Sequence, residues 1–315
     1  RAMTGAFVLA IHVACAGAPD ARGNADALQL ARDLGQAVRD AVATIAPSIV
    51  TIETVGGAQP VREGGRGRME EPFRFADGPT TGVILSTDGL VLTSSFNFAR
   101  EPTVITVTLA DGRRFVAKLL ARDFIRRLAL LKIDAVDRPK AQWVESASLK
   151  IGQYAVACGR ALGGASPSAS LGIVSALSRR NGLAVQTDAK ISPVNYGGPL
   201  IDIEGRMMGL IVPMAGAGGL LEGVAWYDSG IGFAIYKDKV DAVLPRLLAG
   251  EIVEPGKIGV ILEPDDKSEI SFLDELFPPV RGVRIRAVAD PSPAAKALLQ
   301  PGDVILALDG QSVGD

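Results

Sequence analysis

Apolar positions in ADALQLARDLGQAVRDAVATIA (25–46) recur every three to four residues and stop before Pro47, the pattern of an amphipathic helix. From residue 48 the pattern changes to short apolar runs. SIVTIETV (48–55) predicts a strand. GVILSTDGLVLTS (82–94) and TVITVTLADGRRFVAKLL (103–120) each read as two strands around an Asp-Gly turn. LALLKID, YAVACG, LGIVSALS, LAVQTDA, GPLIDIEGRMMGLIVPM and GIGFAI continue the series to residue 235. Strands punctuated by Asp-Gly, Asn-Gly and Glu-Gly predict an all-β barrel or sandwich, and two barrels in tandem suit residues 47–236. KDKVDAVLPRLLA (237–249) predicts a closing helix with Pro245 as a defect in it.

After Glu254-Pro255-Gly256 a second unit begins: KIGVILEP, GVRIRAVADPSPAAKALL and QPGDVILALDGQSV read as strand, strand, short helix, strand. At the other end, residues 6–18 (AFVLAIHVACAGA) follow Arg1 and carry small-residue pairs such as Ala14 and Ala16, so 1–18 reads as a signal peptide. A short core helix is the alternative. A lipid anchor on Cys15 is the lesser one, because His12 fits that signal poorly. Residues 56–79, rich in Gly, Arg and Glu, read as a solvated mobile loop, with an anionic docking patch as the less favoured reading. The expected organisation is a signal segment at 1–18, a main domain at 25–250 and a smaller domain at 256–315, incomplete at its C-terminal end.

Composition narrows the functional classes. The 315 residues are 48% hydrophobic and 22% charged, which excludes a largely disordered chain. Lys+Arg 33 against Asp+Glu 35 argues against a nucleic-acid binder, and no stretch predicts an integral membrane span. Two cysteines, Cys15 and Cys158, cannot make a disulfide framework. Cys158 lies in the apolar YAVACG run and reads as a small buried hydrophobe. Acidic pairs such as Asp265-Asp266 lack metal-ligand spacing, and GRALGG (159–164) has no phosphate-loop Lys-Ser/Thr after it, so neither metal nor cofactor is expected. The single histidine, His12, falls within the predicted signal segment. Cleavage there would leave a mature chain with none.

Several ordered motifs resemble the HtrA/Deg family, trypsin-like proteases of the bacterial periplasm followed by PDZ domains. GLVLTSSF (89–96) is similar to the segment that ends in the family's catalytic histidine, and ARDFIRRLALLKI (121–133) to the one carrying its aspartate. GIVSALSR (172–179) and TDAKISPVNYGGPLI (187–201) resemble the segments leading to and containing the nucleophile turn, and GIGFAI (230–235) the strand after the substrate-side loop. The resemblance implies a trypsin-like double β-barrel followed by a PDZ domain. It also implies that Lys257, Ile258, Gly259 and Val260 form the loop that receives a peptide's terminal carboxylate, by strand addition at a sheet edge.

The departures fall on the chemistry. The histidine position is Phe96, the aspartate position Arg127 and the serine position Tyr196, while Val194 replaces a glycine of the oxyanion turn. Asn195, Gly197, Gly198, Pro199 and Leu200 are kept. Phenylalanine has no lone pair with which to take a hydroxyl proton. Arginine stays cationic and cannot steady an imidazolium. A tyrosine phenol stays protonated at neutral pH. Ser94, Ser95 and Ser192, with Lys190 and Asp188, are the residues from which a substitute Ser–Lys dyad could come. Phe96 and Tyr196 are expected to pack together and plug the cleft, with Arg127 stacked beside them.

The function expected on these grounds is a non-catalytic, exported HtrA-like protein that binds peptides or unfolded envelope proteins, or regulates active relatives, as a homo-trimer or a hetero-assembly. A serine endopeptidase of periplasmic quality control is the alternative, and a structural assembly module the second.

Overall fold

The computed structural model describes residues 21–55, 79–98, 102–161, 164, 166–213, 230–263 and 282–313, with side chains from Asp26 onward and excepting that of Gln311. The predicted signal segment, with His12 and Cys15, and nearly all of the loop expected at 56–79 lie outside the described residues. Contacts divide the chain into two units, Arg1–Val253 and Glu254–Asp315.

The first unit holds two closed six-stranded antiparallel barrels. The first comprises β1 (Ile49–Val55), β2 (Thr80–Ile84), β3 (Leu90–Ser94), β4 (Val104–Thr108), β5 (Arg114–Asp123) and β6 (Leu128–Ile133), closed in the order β1-β2-β3-β6-β5-β4. The second comprises β7 (Tyr154–Gly159), β8 (Ser168–Ser178), β9 (Ala184–Thr187), β10 (Pro199–Ile201), β11 (Met207–Ile211) and β12 (Gly232–Ile235), closed as β10-β11-β12-β9-β8-β7. The Asp-Gly and Glu-Gly turns fall where the sequence puts them, with Gly89, Gly112 and Gly205 at positive φ.

Strand alternation sorts the core. On β6, Ala129, Leu131 and Ile133 point into the first barrel with Val50, Ile84 and Phe98. Leu128 and Leu130 point the other way, into a cluster shared with Leu92, Val156, Cys158, Met207 and Leu210. That shared cluster lies between the barrels, so β6 is buried on both faces and reads as an almost unbroken apolar run. The second barrel is filled by Ala155, Ala157, Val174, Val185, Leu200, Ile211 and Tyr236.

Two helices cover the shared cluster. The helix Lys237–Leu248 buries Val240, Val243 and Leu247, one apolar stripe, despite Pro245 within it. The long helix Ala21–Ile45 buries only the end of its stripe, at Ala41 and Ile45, and leaves Leu28 and Leu30 exposed. Beyond the second helix, Val253 adds itself to the end of β5. Its amide donates to the Arg122 carbonyl at 2.9 Å, and its carbonyl accepts from the Phe124 amide at 2.8 Å.

The second unit contains a three-stranded sheet in the order β13-β14-β15 (Val260–Leu262, Val283–Val288, Val304–Ile305) and the two-stranded pair β16 (Ala307–Leu308) and β17 (Gln311–Ser312). A single helical turn, Pro293–Lys296, is capped by the Ser292 hydroxyl, which accepts from the Ala295 amide at 3.0 Å.

Threonine hydroxyls stitch the two barrels together. Thr81 Oγ1 on β2 donates to the Val194 carbonyl at 2.6 Å and accepts from the Arg160 amide at 2.8 Å. Thr80 Oγ1 donates to the Tyr196 carbonyl at 2.9 Å, and Thr51 Oγ1 to the Arg160 carbonyl at 2.7 Å. Thr81→Val keeps the shape of the side chain but strands a buried carbonyl and a buried amide. The expected loss is about 2–4 kcal/mol by urea unfolding, whereas Val116→Thr on the exposed face of β5 should stay within about 0.5 kcal/mol.

Cys158 is fully buried, and that burial pushes its thiol up to about 12 from 9.0. A folded-state value above the unfolded one stabilises the protein below pH 9, and the stabilisation drains away as pH rises toward 12, where only the unfolded chain has ionised. Iodoacetamide at pH 8 should leave Cys158 unmodified in the folded protein and alkylate it in urea, as peptide mapping by mass spectrometry would show.

Candidate functional site

The segment 192–198 enters the seam between the barrels and carries two of the residues singled out from sequence. Pro193–Asn195 forms one turn of 3-10 helix. The Tyr196 amide donates to the Pro193 carbonyl at 3.2 Å, and the Asn195 amide to the Ser192 carbonyl at 2.9 Å. Asn195 Oδ1 accepts from both the amide and the hydroxyl of Ser192, each at 3.1 Å. After Tyr196 the chain turns at Gly197, with φ +86, where a Cβ would collide with Thr93 Oγ1 and the Thr81 carbonyl. Gly198 then leads into β10, its amide donating to the Asn195 carbonyl at 2.8 Å.

This bonding bears directly on acyl transfer. An oxyanion hole needs amides that are unspent and aimed at one point. The Tyr196 N–H is spent on the Pro193 carbonyl, and the Val194 carbonyl is held against the first barrel by Thr81. The hydrogen bonds of the turn close inward.

Phe96 lies in the 3-10 turn Ser95–Phe98 that follows β3. Its ring meets that of Tyr196 edge-on, with centroids 5.3 Å apart and planes at 76°. Such a pair contributes about 0.5–1.5 kcal/mol beyond area burial. Tyr196 also packs on the core of the second barrel. The structure therefore brings together the two aromatic residues that the sequence expected to meet.

Arg127 is placed differently from the expectation. It is exposed, with φ +60, and among the described residues it makes no ring contact, so it does not stack on Phe96 and Tyr196. Its carbonyl accepts from the Ser95 amide at 2.9 Å and from Ser94 Oγ at 3.3 Å, and this fixes the left-handed turn beside Phe96.

The candidates for a substitute nucleophile are also accounted for. Ser94 is buried, with its hydroxyl donating to the Arg127 carbonyl and accepting from the Phe96 amide at 3.3 Å. Ser95 is buried. Ser192 gives its hydroxyl proton to an amide oxygen. Lys190 is exposed, and among the described residues its ammonium makes no hydrogen bond to Ser192. Asp188 accepts from the Ile173 amide at 2.6 Å. These residues do not assemble into a dyad, and no cluster of metal ligands occurs among the described residues.

Sequence reasoning passed over three residues that shape the site. Asp123 is fully buried. Its Oδ1 accepts from the amides of Ile125 and Arg126 at 2.8 and 3.0 Å, and its Oδ2 accepts from Arg126 Nη1 at 2.8 Å. It ties the 123–127 loop that presents Arg127; an aspartate three residues before an arginine at a strand end was the available signal. Asn97, beside Phe96, is buried, and among the described residues neither of its amide atoms finds a hydrogen-bond partner. Thr81 was legible as one of two threonines opening a strand that is otherwise apolar.

In the second unit, Gly259 has φ +83, and a Cβ there would run into Ser292. The Gly259 carbonyl accepts from the Ala289 amide and the Ile258 carbonyl from the Ala294 amide, both at 2.8 Å. These bonds anchor the 258–260 loop, with Ile258 exposed and Val260 opening β13 at the edge of its sheet.

Comparisons with known proteins agree with this architecture. The trypsin-like peptidase domain family matches residues 80–210 and the PDZ domain family residues 256–315. A protein of Chlamydia muridarum named "Probable periplasmic serine endoprotease DegP-like" is 32% identical over 90% of this chain, and one of the same name from Pseudomonas fluorescens is 36% identical over 76%. The chain spans 62% and 49% of the lengths of those two relatives. Among solved structures, "HtrA-type protease AlgW with tripeptide" is similar at 28% identity and a TM-score of 0.63, covering 88% of this chain and 85% of that one. In sequence, fold and domain order the chain is of HtrA/DegP type, a trypsin-like domain with a PDZ domain after it.

Proposed function

We propose that this protein is a non-catalytic HtrA-type protein of the bacterial periplasm that binds extended peptide segments, either of unfolded envelope proteins or as a regulator of active relatives. The observation that carries the reading is the edge-on packing of Tyr196 on Phe96 at the two positions that the resemblance equates with the serine and histidine of a protease. The spent Tyr196 amide and the exposed Arg127 support it. A hydroxyl attacks a peptide only when a base takes its proton, and the sequence's single histidine, His12, lies outside the described residues. The loop at Ile258, Gly259 and Val260 supports a second peptide contact, made by strand addition at the edge of β13, which no strand among the described residues pairs. Export to the periplasm rests on the names of the relatives and on the leader-like pattern at 1–18. No helix of the described residues is long and apolar enough to cross a membrane.

The rival reading is a serine endopeptidase, and the names of the relatives favour it. A fluorophosphonate probe and an unfolded casein substrate separate the two. The proposal expects casein turnover at the level of a blank and no serine labelling. Labelling or cleavage abolished by Ser192→Ala, Ser94→Ala or Ser95→Ala would establish the rival instead. Fluorescence anisotropy with labelled unfolded peptides tests the binding half. Saturable binding by the whole chain is expected, and its absence would leave a purely structural role.

A further inference from the structure

We propose that the aromatic-filled cleft selects peptide segments bearing carboxylate side chains, and that Arg127 is the residue that reads them. This rests on the peptide-binding reading above and names the class of segment bound.

The segment 121–127 carries three arginines and one aspartate, and the structure spends all but one of these charges. Asp123 is fully buried and fully engaged, with Arg126 Nη1 at 2.8 Å and two backbone amides on its oxygens. Arg122 donates to the Phe98 carbonyl at 2.9 Å and lies over the Phe124 ring at 5.2 Å. Arg127 differs from both. It is exposed, and among the described residues no carboxylate pairs with it. Its backbone holds a left-handed conformation, φ +60, that is costly for a residue with a long side chain. Glycine or asparagine would occupy that turn more easily.

The position suits a reader of peptides. The Arg127 carbonyl is joined through Ser94 Oγ to the Phe96 amide, so the arginine stands at the turn that sets the Phe96 ring against Tyr196. An exposed arginine whose backbone adjoins the Phe96 turn fits a segment that lays an aliphatic or aromatic side chain on the rings and offers a neighbouring Glu or Asp to the planar fork. A neutral segment gains only the rings.

The test uses the whole chain and two labelled decapeptides of Ala, Gly and Leu. One carries two Glu and the other two Gln at the same places, and both are amidated at the C-terminus so that neither offers a terminal carboxylate to the second unit. The Glu peptide is expected to bind about fivefold more tightly than the Gln peptide, the worth of one good exposed ion pair, with the preference shrinking as salt is raised. Arg127→Gln should abolish the preference while leaving the Gln peptide's affinity unchanged. Arg127→Gly should do the same and also raise the melting temperature, because glycine relieves the positive φ. Equal binding of the two peptides, a preference that survives Arg127→Gln, or matching affinity for a single-stranded oligonucleotide would overturn the proposal. Equal binding that is lost in Tyr196→Ala would leave the peptide-binding reading standing without acid selection, whereas no binding of either peptide would remove both.

Discussion

The hydroxyl of Thr81 holds one barrel to the other at the point where the chain's chemistry would have to be done. It gives its proton to the Val194 carbonyl and takes one from the Arg160 amide, while Thr80 reaches the Tyr196 carbonyl two residues further on. Apolar packing between the barrels, through Leu92, Leu128, Val156 and Met207, supplies adhesion but little direction. The threonines supply direction. They fix the 193–196 turn against the wall of the first barrel with buried hydrogen bonds, each of which would cost far more to leave unmade than it contributes when made.

With its carbonyls pinned outward, the turn meets its remaining needs internally. Asn195 ties back to Ser192, and the Tyr196 amide bonds to Pro193. Gly197, with its positive φ and the Thr93 hydroxyl and Thr81 carbonyl against it, and Gly198, against the Cys158 carbonyl, serve the fold whatever side chain precedes them. This explains how a protease-like scaffold can persist with Phe96, Arg127 and Tyr196 where the resemblance sets the triad. The fold is carried by barrel closure, threonine hydroxyls and glycine clearances, none of which depends on a proton relay. The two aromatic rings then occupy one another.

The architecture was legible because it is written in periodicities. Asp-Gly and Glu-Gly turns at strand ends, apolar runs on doubly buried strands and the breaks at Pro47 and Glu254-Pro255-Gly256 specify barrels and boundaries through short-range geometry. The meeting of Phe96 and Tyr196 was legible only through the motif resemblance, since the two lie on different barrels and no local pattern pairs them. Arg127 was misjudged for a physical reason. The stacked guanidinium follows from the triad-aspartate position that the resemblance gives Arg127, whereas the backbone there takes a left-handed φ that nothing in the sequence marks. The inward turn of the Tyr196 amide was beyond reading as well. It depends on which carbonyl lies nearest in three dimensions, and the motif Val-Asn-Tyr-Gly-Gly is silent on that.

One chain of hydrogen bonds links the exit of the first unit to the aromatic pair. Val253 is the last residue before the second unit, and its amide and carbonyl are joined to Arg122 and Phe124. Between those two, Asp123 gathers the next turn by its amides and by Arg126. That turn ends in the Arg127 carbonyl, which holds Ser94 and Ser95 and so the backbone of Phe96. The steps alternate backbone bonds with side-chain bonds from Asp123 and Ser94, so the loop cannot shift at one end without breaking bonds along its length. The ring pair is therefore supported from both sides of the seam. Threonines hold Tyr196 from the first barrel, and the 122–127 loop, clamped by the segment that leads out of the domain, holds Phe96. A site so braced resists the backbone rearrangement that freeing the Tyr196 amide would demand.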